Sequence, residues 1–372
     1  MTKRIGRAGL AGLAILALAA CTPAGRRPTP PPVVPKTALA PVKPPTPKPR
    51  ALAPTPASAA PSQAPVGQAI NASAFAPDAK SEALRNQLIK VEILLDRAHV
   101  SPGVIDGRDG GNLRQAILAY EAAHGLGGDG AVDQPLWEAL TRADASPVVT
   151  DHVITDDDVK GPFIGKVPTD MTAMSKLDHM GYATPRQLLA EAFHMDQKLL
   201  AALNPGVDFS VAGTSIVVAV PDTGPLQVKV ALVEVDKGIQ QVRAFDEVGK
   251  LAAVYPATVG SQERPAPSGE WAVRVVAPRP DYTFDPSRLT FGKSKTKLTI
   301  AAGPNNPVGS TWIGLTKDTY GIHGAPDPTL VGKVASHGCV RLTNWAARQL
   351  GQAVKAGTRV LFVGEAARRT TA

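Results

Sequence analysis

Fifteen of the chain's 35 prolines fall between Pro23 and Pro65, and this clustering limits how much of the chain can fold. Proline removes a backbone donor and fixes one dihedral angle. The other residues of 22–66 are mainly Ala, Thr and Lys, with almost no large apolar side chains. Such a tract cannot bury enough surface to offset its chain entropy. The expectation is an unfolded spacer biased to polyproline II, reaching on the order of 140 Å at about 3.1 Å per residue. The same region holds the charge imbalance. Nine of the 40 Lys/Arg residues (Lys3, Arg4, Arg7, Arg26, Arg27, Lys36, Lys43, Lys48 and Arg50) lie in residues 1–66, which contain no acid. That leaves 31 basic against all 32 acidic residues, so the +8 of the whole chain belongs to its front. The remainder is near neutral and lacks the basic footprint of a nucleic-acid-binding domain.

Ahead of the spacer, Lys3, Arg4 and Arg7 precede an apolar run from Ala8 to Ala20. That run has the layout of a secretory signal and falls short of the roughly 20 residues that span a bilayer. It closes on Leu18-Ala19-Ala20-Cys21, which resembles a bacterial lipobox. The resemblance implies a signal peptide over 1–20 and lipidation of Cys21. With Thr22 rather than Asp next, it also implies a periplasm-facing lipoprotein sorted to the outer membrane of a diderm bacterium. Residues 21–78 are read as the lipidated cysteine and its disordered linker.

Periodicity then divides the chain. Leu84, Leu88, Val91, Leu94 and Leu95, and later Leu113, Ala116, Ile117 and Tyr120, recur at helical spacing. Turns at Asp106-Gly107, Gly110-Gly111, Gly125 and Asp129-Gly130 separate these stretches. The repeated Asp-Gly turn flanking a helix and closing on Trp137 and Leu140 resembles the type 1 peptidoglycan-binding module, which is expected over 79–143. Residues 144–174 show no period and are read as a linker, with Asp156-Asp157-Asp158 in a solvated loop. Over 175–221, Thr184 and Asp196 are candidate caps for two helices before the β-branched run Ile216-Val217-Val218. This order resembles a LysM-type glycan-binding module without its opening strand. His194 is read there as a structural residue.

From Leu226 the pattern changes to short β-type runs, among them Trp271–Val276, Leu298–Ile300, Trp312–Leu315 and Arg359–Val363. One helix, Asn344–Val354, interrupts them. The fold class expected is multidomain α+β: a small helical domain, an αα-β segment, then a mainly-β domain over 225–364 and a tail over 365–372.

The chemistry concentrates in Tyr320-Gly321-Ile322-His323-Gly324 and Ser336-His337-Gly338-Cys339-Val340-Arg341. Cys339 is the chain's one cysteine besides Cys21, and an exported chain either pairs a thiol or uses it. A nearby imidazolium lowers a thiol pKa by several units, and either His323 or His337 can supply it. Gly338 admits close backbone approach, which lets amides beside Cys339 face a developing oxyanion. These residues point to Cys/His nucleophilic catalysis without naming a substrate. A zinc site built on His323, His337 and Cys339 lacks a carboxylate base at recognisable spacing.

The His-Gly pair followed by Ser-His-Gly-Cys-x-Arg closely resembles the signature of the L,D-transpeptidases, the YkuD family. The stretches Pro265–Gly269 and Gly303–Pro307 resemble that family too. The resemblance implies that Cys339 is the nucleophile, that His323 is the general base and acid, and that the Gly324 carbonyl orients His323. It implies substrate or oxyanion roles for Ser336, His337, Gly338 and Arg341. Tyr320 and Trp312 are candidate cleft-lining aromatics. The implied reaction joins peptidoglycan stem peptides 3→3 through a Cys thioester, with release of D-alanine and without cofactor or metal. Attachment of an outer-membrane protein to the wall, hydrolysis of stem peptides, and a non-catalytic murein-binding tether are the alternatives.

Overall fold

The computed structural model describes residues 59–260, 265–287, 295–334, 336 and 338–365. The chain divides into units of residues 1–48 and 49–372. The first unit, with Cys21 and the signal-like segment, lies outside the described residues.

The helical front begins with α1 (Pro65–Asn71), α2 (Ser81–Arg97), α3 (Gly111–His124) and α4 (Gln134–Ala143). Each turns one apolar stripe inward. Helix α2 buries Leu88, Val91, Leu94 and Leu95, α3 buries Leu113, Ala116, Ile117 and Tyr120, and α4 buries Leu136, Trp137 and Leu140. Asp133 caps α4 by accepting from the Leu136 N–H, and α3 ends on left-handed Gly125. Of the predicted apolar positions, Leu84 is exposed instead.

The structure draws more of the chain into this body than its composition predicts. Within the stretch read as disordered linker, Ser62 is buried and hydrogen-bonded to Asp151, and Ile70 is fully buried. The Asn71 amide accepts from the Val148 and Val149 N–H groups and donates to the Val149 carbonyl. Ile70 supplies the apolar anchor and Asn71 the backbone pairing, so the proline-rich composition stops governing before Pro65.

The stretch read as a linker over 144–174 contains β1 (Val149–Val153), α5 (Asp156–Val159) and α6 (Met171–Met174). The expected solvated loop of aspartates is α5. There Asp158 is buried, closes a capping box with Thr155 and bonds His152. Helices α7 (Pro185–Ala192) and α8 (Gln197–Leu203) follow, capped by Thr184 and Asp196 as their positions predict. Strand β2 (Ser215–Ala219) then pairs antiparallel with β1. An opening strand is therefore present before the two helices. Both front segments share one hydrophobic core, from Ile70 through Leu136 and Leu200 to Val218.

The second core belongs to the β-rich part. Its strands are β3 (Leu232–Asp236), β4 (Gln241–Phe245), β5 (Leu251–Pro256), β6 (Thr258–Val259), β7 (Gly269–Pro278), β8 (Tyr282–Phe284), β9 (Leu298–Ile300), β10 (Thr311–Leu315), β11 (Gly321–Ala325), β12 (Val340–Thr343) and β13 (Arg359–Val363). Nine of them form one sheet in the order β5-β4-β3-β13-β7-β10-β11-β12-β6, and among the described residues β8 pairs with β9 alone. Strand β7 joins two half-sheets, pairing with β13 over Gly269–Ala272 and with β10 over Val273–Pro278. Helix α9 (Asn344–Ala353) covers the inner face with Trp345, Ala346, Ala347 and Leu350.

The two cores interlock. Val104 of the front packs into the β-rich core, and Val254 of β5 packs into the helical core. Strand β5 is a sheet edge. Its outer side is paired, since the Val254 N–H donates to the His99 carbonyl at 2.8 Å and the Ser101 N–H donates to the Val254 carbonyl at 2.9 Å. Covering an edge in this way removes a template for aggregation. Among the described residues no helix is long and apolar enough to cross a membrane.

Candidate active site

Strand register gathers the chemistry. Parallel strands β11 and β12 pair Ile322 with Val340 and His323 with Arg341. Side chains alternate along a strand, so Ile322, Val340 and Leu342 enter the core. His323 and Arg341 take the opposite face. Cys339, two residues before Arg341, falls on that same face at the mouth of β12, diagonally across from His323. On the other flank Trp312 pairs with His323 and stacks on its ring, with centroids 5.6 Å apart and planes 25° from parallel. His323 is 4% exposed, whereas Cys339 is half-buried.

Hydrogen bonds set the atoms. His323 Nδ1 lies 2.7 Å from the Gly324 carbonyl oxygen. A carbonyl only accepts, so Nδ1 carries the proton and Nε2 of the neutral ring keeps its lone pair. Asn344, at the start of α9, packs its Oδ1 against Gly324, where a Cβ would collide with it. The Asn344 amide in turn donates to Glu191 of α7 and to the Pro304 carbonyl. His323 is thus braced from behind by the helical body. The Cys339 thiol points toward the Thr319 carbonyl at 3.7 Å. Gly338 has φ +113, a region that side chains avoid, and the Tyr320 ring leaves little room beside it.

Ser336 is buried and its hydroxyl is committed to the loop. It donates to the Cys339 carbonyl at 2.6 Å and accepts from the Gly338 N–H at 3.3 Å. Its own N–H donates to Gly260 O at 2.9 Å. The Gly338 amide expected to face an oxyanion therefore spends its proton on Ser336. His337 lies outside the described residues.

The electrostatics differ from the expected thiolate–imidazolium pair. Burial pushes the Cys339 thiol above its usual range, opposed by the Gly321 backbone N–H and the Arg341 charge. Burial lowers His323 to about 4, against the Gly324 hydrogen bond and with help from the Arg341 charge. Near neutral pH both members are uncharged. The sequence suggests an ion pair because it shows a Cys and a His close by; it does not show that both are desolvated beside a guanidinium. Arg341 is itself lowered by burial, with Cys339 and Tyr282 acting in the other direction. Tyr282, whose hydroxyl burial raises and Cys339 raises further, is a site residue that no local signal marks. It stands 57 positions before Cys339 and arrives through the separate β8–β9 hairpin.

Among the described residues, one carboxylate group has metal-ligand spacing: Glu121, Asp129 and Asp133, away from this site. Glu121 accepts from the Gly130 N–H and Asp133 caps α4, so these oxygens serve the backbone.

Residues 231–361 match the family described as the L,D-transpeptidase catalytic domain, YkuD, and residues 83–140 match the "Putative peptidoglycan binding domain". The chain is 29% identical over 177 residues to "Putative L,D-transpeptidase YkuD" of Bacillus licheniformis, covering 46% of this chain and 89% of that protein. It is 35% identical over 121 residues to "Putative L,D-transpeptidase YqjB" of Bacillus subtilis, covering 31% and 62%. It is 26% identical over 200 residues to "Probable L,D-transpeptidase YbiS" of Escherichia coli, covering 51% and 64%. The helical front thus contains the residues that match the peptidoglycan-binding model, and the mainly-β domain behind it those that match the L,D-transpeptidase catalytic-domain model.

Proposed function

We propose that this protein is a peptidoglycan L,D-transpeptidase in which Cys339 is the nucleophile and His323 the general base and acid. The observation that carries the reading is the Nδ1–H donation of His323 to Gly324. It leaves Nε2 as a lone-pair base on the face shared with the thiol. Sulfur attacks the carbonyl joining the third stem residue to the terminal D-alanine, and its proton passes to Nε2. The carbon–nitrogen bond breaks, His323 returns that proton to the departing D-alanine amine, and a thioester remains. An amine of a second stem peptide then attacks, giving its proton to His323, and the amide of a 3→3 cross-link forms as sulfur leaves. A thioester divides one hard exchange into two easier steps. Arg341, its charge beside the sulfur, stabilises the developing negative charge or a substrate carboxylate.

The front domain places the enzyme on the wall, and the β1–α7–α8–β2 arrangement fits a second, LysM-like glycan contact. The signal-like segment and Cys21 suit an exported lipoprotein at the outer membrane. The reading is tested by incubating the protein with disaccharide-tetrapeptide and analysing the muropeptides. Cross-linked dimers with free D-alanine are expected, and Cys339→Ala forms none. Trimmed tripeptides, or adducts with an added envelope protein, would replace the stem-peptide acceptor by water or a protein amine. Turnover retained in Cys339→Ala would overturn the mechanism.

A further inference from the structure

We propose that Asn112, in the first turn of the peptidoglycan-binding domain's α3, is a positioning residue for the nucleophile loop. The inference rests on the reading of Cys339 as the nucleophile. It makes the wall-binding domain a working part of the active centre rather than a passive tether.

The loop between β11 and β12 begins with Asp327 capping a turn at Pro328–Leu330. The loop then folds inward, Leu330 remaining exposed while Val331 is buried. The Val331 carbonyl accepts a hydrogen bond from Asn112 Nδ2 at 2.9 Å. Asn112 Oδ1 packs against Gly332, where a Cβ would collide with it, and Gly332 has φ +75. The Gly332 N–H donates to Thr258 Oγ1 at 2.9 Å. Thr258 lies on β6, opposite Arg341 of β12. Further along, Ser336 is tied to Gly260 and to the Cys339 carbonyl. The loop that ends at the thiol is therefore hung between β6 of its own sheet and a side chain from the other domain.

Helix α3 is a firm support for that side chain. Leu113, Ile117 and Tyr120 root it in the helical core. Its outer face meets the catalytic sheet, where Gln241 Nε2 lies 3.4 Å from the Gln115 carbonyl. Without Asn112, the buried Val331 carbonyl loses its donor and Gly332 loses the neighbour that fills the space beside it. The loop then has room to shift. Because reacting atoms must meet within a fraction of an ångström, a small shift slows chemistry while substrate binding is unaffected.

The test uses the full chain with two thiol probes, a carbapenem that acylates and iodoacetamide that alkylates, both read at Cys339 by mass spectrometry. Asn112→Ala removes the donor, and Asn112→Asp keeps the shape but presents an oxygen to the carbonyl. In both, the maximal acylation rate is expected to fall about 10-fold, with carbapenem saturation close to the parent's and the chain still folded at the assay temperature. Gln241→Ala, which cuts a different contact across the same boundary, is expected to acylate like the parent. Parent-like rates in both Asn112 variants would overturn the proposal. An equal loss in Gln241→Ala would overturn it too, by showing that docking in general and not this loop contact matters. A parent that resists the carbapenem would instead count against the transpeptidase reading. Iodoacetamide rates in parent and variants would then still decide whether Asn112 places the thiol.

Discussion

At the scale of single residues, burial raises the Cys339 thiol and lowers His323, so both groups are neutral near pH 7. Alkylation of Cys339 is therefore expected to be slow at pH 7 and to keep rising past pH 8.5. No thiolate absorbance is expected at neutral pH, and a rate plateau below pH 7 would show a preformed ion pair. His323 also links stability to pH. Its folded pKa, about 4, lies below the unfolded value of about 6.5. The unfolded chain thus takes up the proton first as pH falls. The contribution is complete above about pH 6.5 and is lost on acidification toward pH 4, a span of about 3 kcal/mol. Denaturant titrations from pH 7 to 4 should show this slope, and His323→Gln should flatten it. Ser336, for which the resemblance implies both shaping of the loop and contact with an acyl group, places its hydroxyl 2.6 Å from the Cys339 carbonyl.

At the scale of elements, short-range rules worked where the governing residues are neighbours. Thr184 and Asp196 announce α7 and α8, and strands 298–300 and 359–363 have the bounds their β-branched runs predict. Helix α9 starts where expected, with Thr343 accepting from the Ala346 N–H at 3.3 Å. Thr343→Ala should lower stability by about 1 kcal/mol, and Thr343→Ser should restore most of it, measured as denaturant midpoints. Strand β1 escaped notice for the opposite reason. Val149–Val153 has no alternation to distinguish it, and its partner β2 lies more than 60 residues away. Asn71, nearly 80 residues before it, completes the pairing. Asn71→Ala takes the side-chain acceptor from the Val148 and Val149 N–H groups and should cost on the order of 1–3 kcal/mol, again read from the denaturant midpoint.

At the scale of the whole molecule, the interlocking of Val104 and Val254 makes two domains behave as one body. Calorimetry of the chain should show a single cooperative transition. Val104→Ala, which truncates a side chain buried in the neighbouring core, should lower that transition as a whole by on the order of 2 kcal/mol. Two separated transitions, with only one shifted, would show independent domains. What could be read without a structure was whatever local composition and spacing encode: the helical and β-rich periods, and the His-Gly and Ser-His-Gly-Cys-x-Arg patterns. Tertiary structure alone decided which distant groups meet. It brought Tyr282 to the sulfur's surroundings, braced Gly324 through Asn344 and Glu191, and set Asn112 on the loop that leads to Cys339. It also set the charge states of Cys339 and His323, because desolvation is a property of everything packed around a group and not of its neighbours in the chain.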